Sequence, residues 1–335
     1  MKALSLGVVG AGTIAREMHL AVLSCMPDVQ VQWICDADAD RARAVGNANG
    51  IRSIVASSPE DLPACDAVLL AIPVGARDRY FDAFADRGSA ILAEKPFAVS
   101  AHSHRALLER FEPFRLGCGY LRRFYSSTRL LRHLVRTAPF GELRRIQVSE
   151  GSRFTASRVD SSYLDDVRMS AAGGILSELG CHSLDVALFI TGASAYEIGA
   201  SEFASDGLVD RKITASLRLM DSEYLPKLGV QLDFCVSWLD RQANAIILEF
   251  EKSSVWTGVG PGADVYMGTP QNPAEATRLV PLARAATTAN QAFYMQWRSF
   301  LDGVITNTES CISARSALLG TRLIEDMYSS RSGNA

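Results

Sequence analysis

The stretch Leu4-Ser5-Leu6-Gly7-Val8-Val9-Gly10-Ala11-Gly12-Thr13-Ile14-Ala15 decides the fold of this chain. Leu4, Leu6, Val8 and Val9 form a short apolar strand. Gly10 permits a tight turn, Gly12 lets backbone amides approach an anion, and Ala15 is small enough for a helix to lie close on the strand. A pyrophosphate would rest at the start of that helix, where unpaired N–H groups and the helix dipole favour negative charge. Ile14, Met18, Ala21, Val22 and Cys25 then fall on one helical face, and Pro27-Asp28 ends the helix. Val29, Val31 and Trp33 carry a second strand into Cys35-Asp36. Strand, glycine turn, helix, strand and acid in this order specify a dinucleotide-binding unit, with Asp36 placed to accept hydrogen bonds from the adenine ribose. A carboxylate there repels a 2′-phosphate, so NAD is the expected cofactor; Arg41 and Arg43 nearby leave NADP as the alternative.

Alternating units continue this pattern. A helix is expected over Asp40–Ala48, a strand at Ser53-Ile54-Val55, and a central strand in the apolar run Asp66–Ile72, which Pro73-Val74-Gly75 closes. Tyr80, Phe81, Phe84 and Ala85 mark a helix ending at Gly88. Ala90-Ile91-Leu92-Ala93 is the next strand, Ala101–Phe111 a helix, and Leu116-Gly117-Cys118 the last strand of this domain. Beyond about residue 120 the texture changes. A helix over Thr128–Arg136 precedes period-two strands at Arg145–Glu150, Glu197–Phe203, Lys212–Leu219, Lys227–Trp238 and Ala245–Glu251, which imply an antiparallel sheet with one buried face. Residues 258–273, rich in glycine and proline, are expected to be a loop. Two helices close the chain, one carrying Phe293, Trp297, Phe300, Leu301 and Val304, the other starting at a Ser313 cap.

With 335 residues, two domains are expected. A net charge of −3, with 21% charged residues and no charge run, argues against nucleic acid as a partner. The opening apolar run is broken by Gly7 and Gly10 and lacks a small-residue cleavage pattern, so it is read as a strand and not a secretory leader. Ala67–Ile72 is too short to span a bilayer, and no membrane association is expected. Seven scattered cysteines without a Cys-x-x-Cys imply a reduced, cytoplasmic protein. His19, His102, His104, His133 and His182 never reach metal-site spacing with them, so no metal is expected.

Two motifs carry chemistry. Glu94-Lys95-Pro96 leaves a strand on the same rim as the glycine turn, and the proline keeps Lys95 out of helical conformation. A lysine there can hydrogen-bond a reacting oxygen and stabilise charge developing on it, although an isolated strand-terminal lysine is usually only a surface cation. The second motif is Ala172-Gly173-Gly174-Ile175-Leu176-Ser177-Glu178-Leu179-Gly180-Cys181-His182-Ser183-Leu184-Asp185. Its glycines let backbone pass close to something, and the following residues read as a helix with Leu176, Leu179, Leu184, Ala187 and Leu188 as its stripe. Glu178 and His182, four apart, share a face. Histidine titrates near neutrality and suits the proton transfer that accompanies hydride transfer.

Together with Asp66 to Pro73 and Tyr120-Leu121-Arg122-Arg123-Phe124, these pieces resemble the glucose–fructose oxidoreductase and inositol dehydrogenase (Gfo/Idh/MocA) family, from residue 4 to about 328. The resemblance implies an α/β Rossmann domain with a doubly wound parallel sheet over 1–119. A larger α+β domain over 120–330 would follow, an open and mostly antiparallel sheet with helices on one face. The exposed sheet face would pair copies into a homodimer or homotetramer, and the C-terminal helices would pack back on the first domain. Cofactor contacts are expected from Gly10, Gly12, Thr13, Ile14, Ala15, Asp36, Ala71, Ile72, Pro73, Glu94 and Lys95. His182 is implied as general acid/base, oriented by Glu178, with Lys95 on the same oxygen and Tyr120 and Arg123 lining the substrate cleft. A cis bond before Pro96 is also implied. The chain departs from the family pattern at Glu178 (usually aspartate), Arg77 (a frequent histidine), Ser89 (a frequent lysine) and Ala172 (the first of three glycines), which bears on the substrate.

The activity so expected is NAD(P)-dependent interconversion of a secondary alcohol and a ketone on a sugar, cyclitol or nucleotide sugar. The alternatives are an inactive cofactor-binding regulator or sensor of the same fold, and a reductase of a non-sugar carbonyl or a bilin.

Overall fold

The computed structural model describes residues 3–153, 174–206, 209–269, 275–280 and 285–331. The chain divides into two compact units, Met1–Leu121 with Phe293–Leu318, and Arg122–Ala292 with Leu319–Ala335.

In the first unit β1 (Leu4–Val9) lies between β2 (Val29–Cys35) and β4 (Ala67–Leu70), parallel to both. With β3 (Arg52–Ser53), β5 (Ala90–Ala93) and β6 (Leu116–Cys118) they form a six-stranded parallel sheet in the order β3-β2-β1-β4-β5-β6. Every residue of β4 and β5 is buried, as continuous apolar strands covered on both faces must be. The strand order reverses at β1 and β4, which opens a crevice at their carboxyl ends.

The helix after the glycine turn differs from the expected amphipathic stripe. It begins with a wide π-turn, Ala15–His19, before the α-helical turn α1 (Leu20–Leu23). Ala15, His19, Leu20, Val22, Leu23 and Met26 are buried, whereas Ile14 and Cys25 are exposed. A π-turn holds one more residue than an α-turn, so the buried face is displaced from the 3.6-residue pattern. Burying His19 also requires the polar partners described below. The next helix, α2 (Ala39–Asn49), is capped by Asp38, whose Oδ1 accepts from the amides of Asp40 and Arg41, both at 3.0 Å. Strand β3 is shorter than expected; Ile54 and Val55 lie past its end, and Val55 is exposed. Helices α3 (Asp78–Ala85) and α4 (Ala101–Arg110) follow β4 and β5.

In the second unit α5 (Ser126–Thr137) precedes β7 (Leu143–Gly151). A π-turn, Leu176–Gly180, runs into α6 (Cys181–Thr191), which ends at Gly192 with φ +66°. Helix α6 is buried on all sides except near Phe189, so its expected single stripe is too narrow a description. Strands β8 (Ala195–Asp206), β9 (Val209–Met220), β10 (Val230–Ser237), β11 (Ala245–Phe250), β12 (Ser254–Gly258), β13 (Val265–Gly268) and β14 (Thr277–Leu279) join β7 in one sheet. Its order is β14-β13-β12-β11-β7-β10-β9-β8. All neighbours are antiparallel except β10 and β7, which run parallel.

The segment expected to be a loop over 258–273 contains β13, and its residues 270–273 lie outside the described ones. Pairing with β12 makes the strand: Thr257 faces Val265, and the Trp256 and Tyr266 rings stack at 6.1 Å. Helices α7 (Ala289–Thr306) and α8 (Ala314–Arg331) close the chain; the Ser313 Oγ accepts from the Ser316 amide at 3.3 Å. Among the described residues no helix is long and apolar enough to cross a membrane, and no three His, Cys, Asp or Glu residues group as a metal site would.

Candidate active site

The first unit gathers its candidate residues on one rim, the carboxyl edge of the parallel sheet. Gly10 to Gly12 follow β1, Asp36 follows β2, Ala71 to Pro73 follow β4, Glu94 to Pro96 follow β5, and Tyr120 follows β6. Gly10 has φ +100°, and a Cβ there would overlap the Ala71 carbonyl oxygen of the adjoining strand end. A Cβ on Gly12 would meet nothing within 4 Å. The turn therefore presents backbone to open space at the N-terminus of a helix whose first amides, at Thr13 and Ile14, have no intrahelical acceptor. That is the cradle a pyrophosphate needs, and the residues present fit a dinucleotide.

Asp36 fastens this turn. Its Oδ2 accepts from the Ala11 amide at 2.7 Å and its Oδ1 from the Asp38 amide at 2.9 Å. A carboxylate has about four acceptor positions, so each oxygen keeps one for a ribose hydroxyl. Arg41 Nη1 stands 4.0 Å from Asp36, whereas Arg43 pairs with Asp40 at 2.9 Å.

Lys95 is half-buried, and its bond to Pro96 is cis. Glu94 beside it is a polar hub. His19 Nε2 is 2.9 Å from Glu94 Oε1, and the Lys95 amide is 3.2 Å from Oε2. Trp297 Nε1 donates to His19 Nδ1 at 3.0 Å; because an indole N–H only donates, the imidazole proton sits on Nε2 and points at Glu94. Burial alone would push the Glu94 carboxyl up. The His19 hydrogen bond and the charges of Lys95 and Arg77 outweigh it and hold the group below the usual carboxylate value.

Tyr120 is 1% exposed, and its amide bonds the Cys118 carbonyl at 2.7 Å.

The second unit carries Glu178 on its π-turn, half-buried, and His182 on the first turn of α6, buried. Asp210 of β9 anchors the start of that segment: its Oδ2 accepts from the Leu176 amide at 2.9 Å and its Oδ1 from the Tyr328 hydroxyl at 2.8 Å. Gly174 lies directly against this carboxylate, where a Cβ would overlap it. Its backbone passes close to Asp210; Ala172 and Gly173 lie outside the described residues.

Arg123, expected to line a substrate cleft, is engaged by the second unit's own side chains. Its guanidinium grips Asp185 through Nε, at 2.9 Å, and Nη2, lies over the Phe189 ring, and is 3% exposed. Arg122 clamps Glu150 at 2.7 and 2.8 Å, and Ser183 donates to the same carboxylate at 2.5 Å. Both arginines thus fix the helix that carries His182, since a buried cation needs its partner nearby.

Sequence reasoning missed His19, Trp297, Glu150 and Asp210 as polar anchors. The available signal was a histidine in an otherwise apolar helical pattern and an aspartate in a strand, neither of which names its partner.

Residues 4–113 match the model of an oxidoreductase family with an NAD-binding Rossmann fold. The chain is 26% identical to the inositol 2-dehydrogenase of Rhizobium meliloti over 62% of its length and 60% of that relative. Among solved structures, an aldose-aldose oxidoreductase from Caulobacter crescentus complexed with glycerol superposes with a TM-score of 0.83 at 18% identity, covering 99% of both chains. A 3-ketoreductase from Actinomadura kijaniata in complex with NADP and TDP-benzene superposes with a TM-score of 0.81 at 18% identity, covering 98% of both.

Proposed function

We propose, from the premise that the chain belongs through residues 4–113 to the Gfo/Idh/MocA family of oxidoreductases, that it is an NAD(P)-dependent enzyme interconverting a secondary alcohol and a ketone. The substrate class we assign is a sugar, cyclitol or nucleotide sugar, with NAD preferred over NADP. The observation that carries the reading is the shared rim: Lys95 leaves the same sheet edge as the glycine turn, two strands away.

A dinucleotide held by the Gly10–Gly12 turn and Asp36 would supply the hydride chemistry at the carbinol carbon. The chain's own residues handle the proton and the oxygen. His182 takes the hydroxyl proton as the carbonyl forms and gives it back in the reverse direction. Glu178, four residues earlier, orients the imidazole. The Lys95 ammonium donates a hydrogen bond to the same oxygen and stabilises its developing negative charge.

The test begins with a thermal-shift screen of sugars, cyclitols and nucleotide sugars with NADH present, since a ligand bound only by the native state raises its apparent stability. On the substrate found, His182→Asn is expected to lower kcat by roughly 10²–10⁴-fold with NADH affinity within about threefold of wild type, and Lys95→Met to lower kcat by roughly 10²–10³-fold. Wild-type turnover by His182→Asn overturns the assigned proton transfer.

A further inference from the structure

Arg77 follows β4 at the start of α3, is 2% exposed, and among the described residues hydrogen-bonds no side-chain carboxylate. A buried guanidinium is costly, and burial lowers its pKa to about 10, with the Glu94 charge opposing. What holds it is backbone. Nε donates to the Ile72 carbonyl at 2.9 Å, and Nη1 donates to the carbonyls of Glu94 and of Pro96, the latter at 2.5 Å. The last two carbonyls flank Lys95. On the other side, the Lys95 amide meets the Glu94 carboxylate, which the Trp297–His19 pair holds in place. The backbone groups on both sides of Lys95 are thus pinned, two by Arg77 and one through Trp297, His19 and Glu94.

We propose that Arg77 and the Trp297–His19–Glu94 chain are positioning residues for Lys95, tying the turn after β5 to the turn after β4 so that the ammonium leaves the rim in one direction. Arg77 suits the task because a planar fork can reach three carbonyls from one site; a lysine ammonium is a point donor on a flexible stem and cannot. The indole of Trp297 suits its own place because it selects the histidine tautomer that donates to Glu94. That Lys95 acts on substrate rests on the function proposed above; that its backbone is held this way does not.

The experiment therefore reads Lys95 without cofactor or substrate. Amine labelling of the intact protein, quantified by mass spectrometry across pH, gives a labelling midpoint for Lys95, with exposed Lys252 as internal control. Two variants keep the local charge: Arg77→Lys removes the fork, and Trp297→Phe removes the donor to His19. In each, the Lys95 midpoint is expected to move from its wild-type position by about half a pH unit or more. The Lys252 midpoint stays put and circular dichroism shows a folded chain. Having two variants keeps the test decisive if one fails to fold. An unchanged Lys95 midpoint in a folded Arg77→Lys or Trp297→Phe protein overturns the assignment for that branch. A shifted midpoint combined with full turnover by Lys95→Met leaves the positioning intact and sinks the catalytic reading instead.

Discussion

Asp36 accepts two backbone amides and keeps a further acceptor position on each oxygen. In the function proposed above the same carboxylate sets the cofactor preference, because a carboxylate accepts from hydroxyls and repels a phosphate. Arg41 divides its charge between Asp38, at 3.3 Å, and Asp36, at 4.0 Å, and Arg43 is engaged by Asp40, so neither is committed to a 2′-phosphate. NADH is accordingly expected to bind at least about tenfold more tightly than NADPH, a difference of about 1.4 kcal/mol. Asp36→Ser should narrow that ratio while weakening both, since the Ala11 amide loses its acceptor. Fluorescence titration with the two cofactors measures it, and a wild-type preference for NADPH sinks the inference. Arg123 teaches the opposite lesson at this scale. An arginine near a domain crossing looks available in the sequence, yet a buried aspartate downstream claims it.

At the scale of elements, the glycine turn assigns separate tasks to its two glycines. Gly10 sits in backbone that disfavours any Cβ and lies against the Ala71 carbonyl, whereas Gly12 borders open space. Gly10→Ala is therefore expected to cost about 2 kcal/mol or more in stability and lower the melting temperature. Gly12→Ala should melt near wild type but lose NADH affinity, because its methyl would project where the pyrophosphate is to lie. Calorimetry and an NADH titration separate the two; a large stability loss in Gly12→Ala speaks against this division. The sequence pattern located every strand of the first unit and the helices between them. It misjudged which residues of the first helix are buried, because a π-turn and the polar partners of His19 shift its inner face. Strand β13 was hidden for a related reason: four residues in a glycine- and proline-rich stretch gain strand geometry only from pairing with β12.

At the scale of the molecule, the first unit is assembled from chain ends far apart in sequence. The Cys118 amide bonds the Ile312 carbonyl at 2.9 Å, Arg298 pairs with Asp28 at 2.6 Å, and His104 Nε2 lies 2.9 Å from the Ala314 carbonyl. His104 is fully buried, and burial lowers its pKa from 6.5 to about 4, so it folds as a neutral ring donating to that carbonyl. Below about pH 6.5 the unfolded chain takes up a proton that the native state refuses until about pH 4. This contribution is thus complete above 6.5 and is lost as pH falls toward 4, to a total of roughly 3 kcal/mol. Denaturant midpoints at pH 7, 5.5 and 4.5 should fall steeply for the wild type and more gently for His104→Gln. Equal slopes in both proteins rule out His104 as the source.

The sequence by itself determined the parallel sheet, its glycine turn and the acid after β2, because those signals are local: apolar runs, turn residues and a fixed order along the chain. It also singled out Lys95, Glu178 and His182 by motif. Only the tertiary structure decided which polar groups are spent on one another. Arg77 on the carbonyls around Lys95, Trp297 on His19, Arg123 on Asp185 and Asp210 on the Leu176 amide all join residues distant in the chain. A buried hydrogen bond depends on what folding brings within about 3 Å, and that distance is not written in the spacing of residues along the chain.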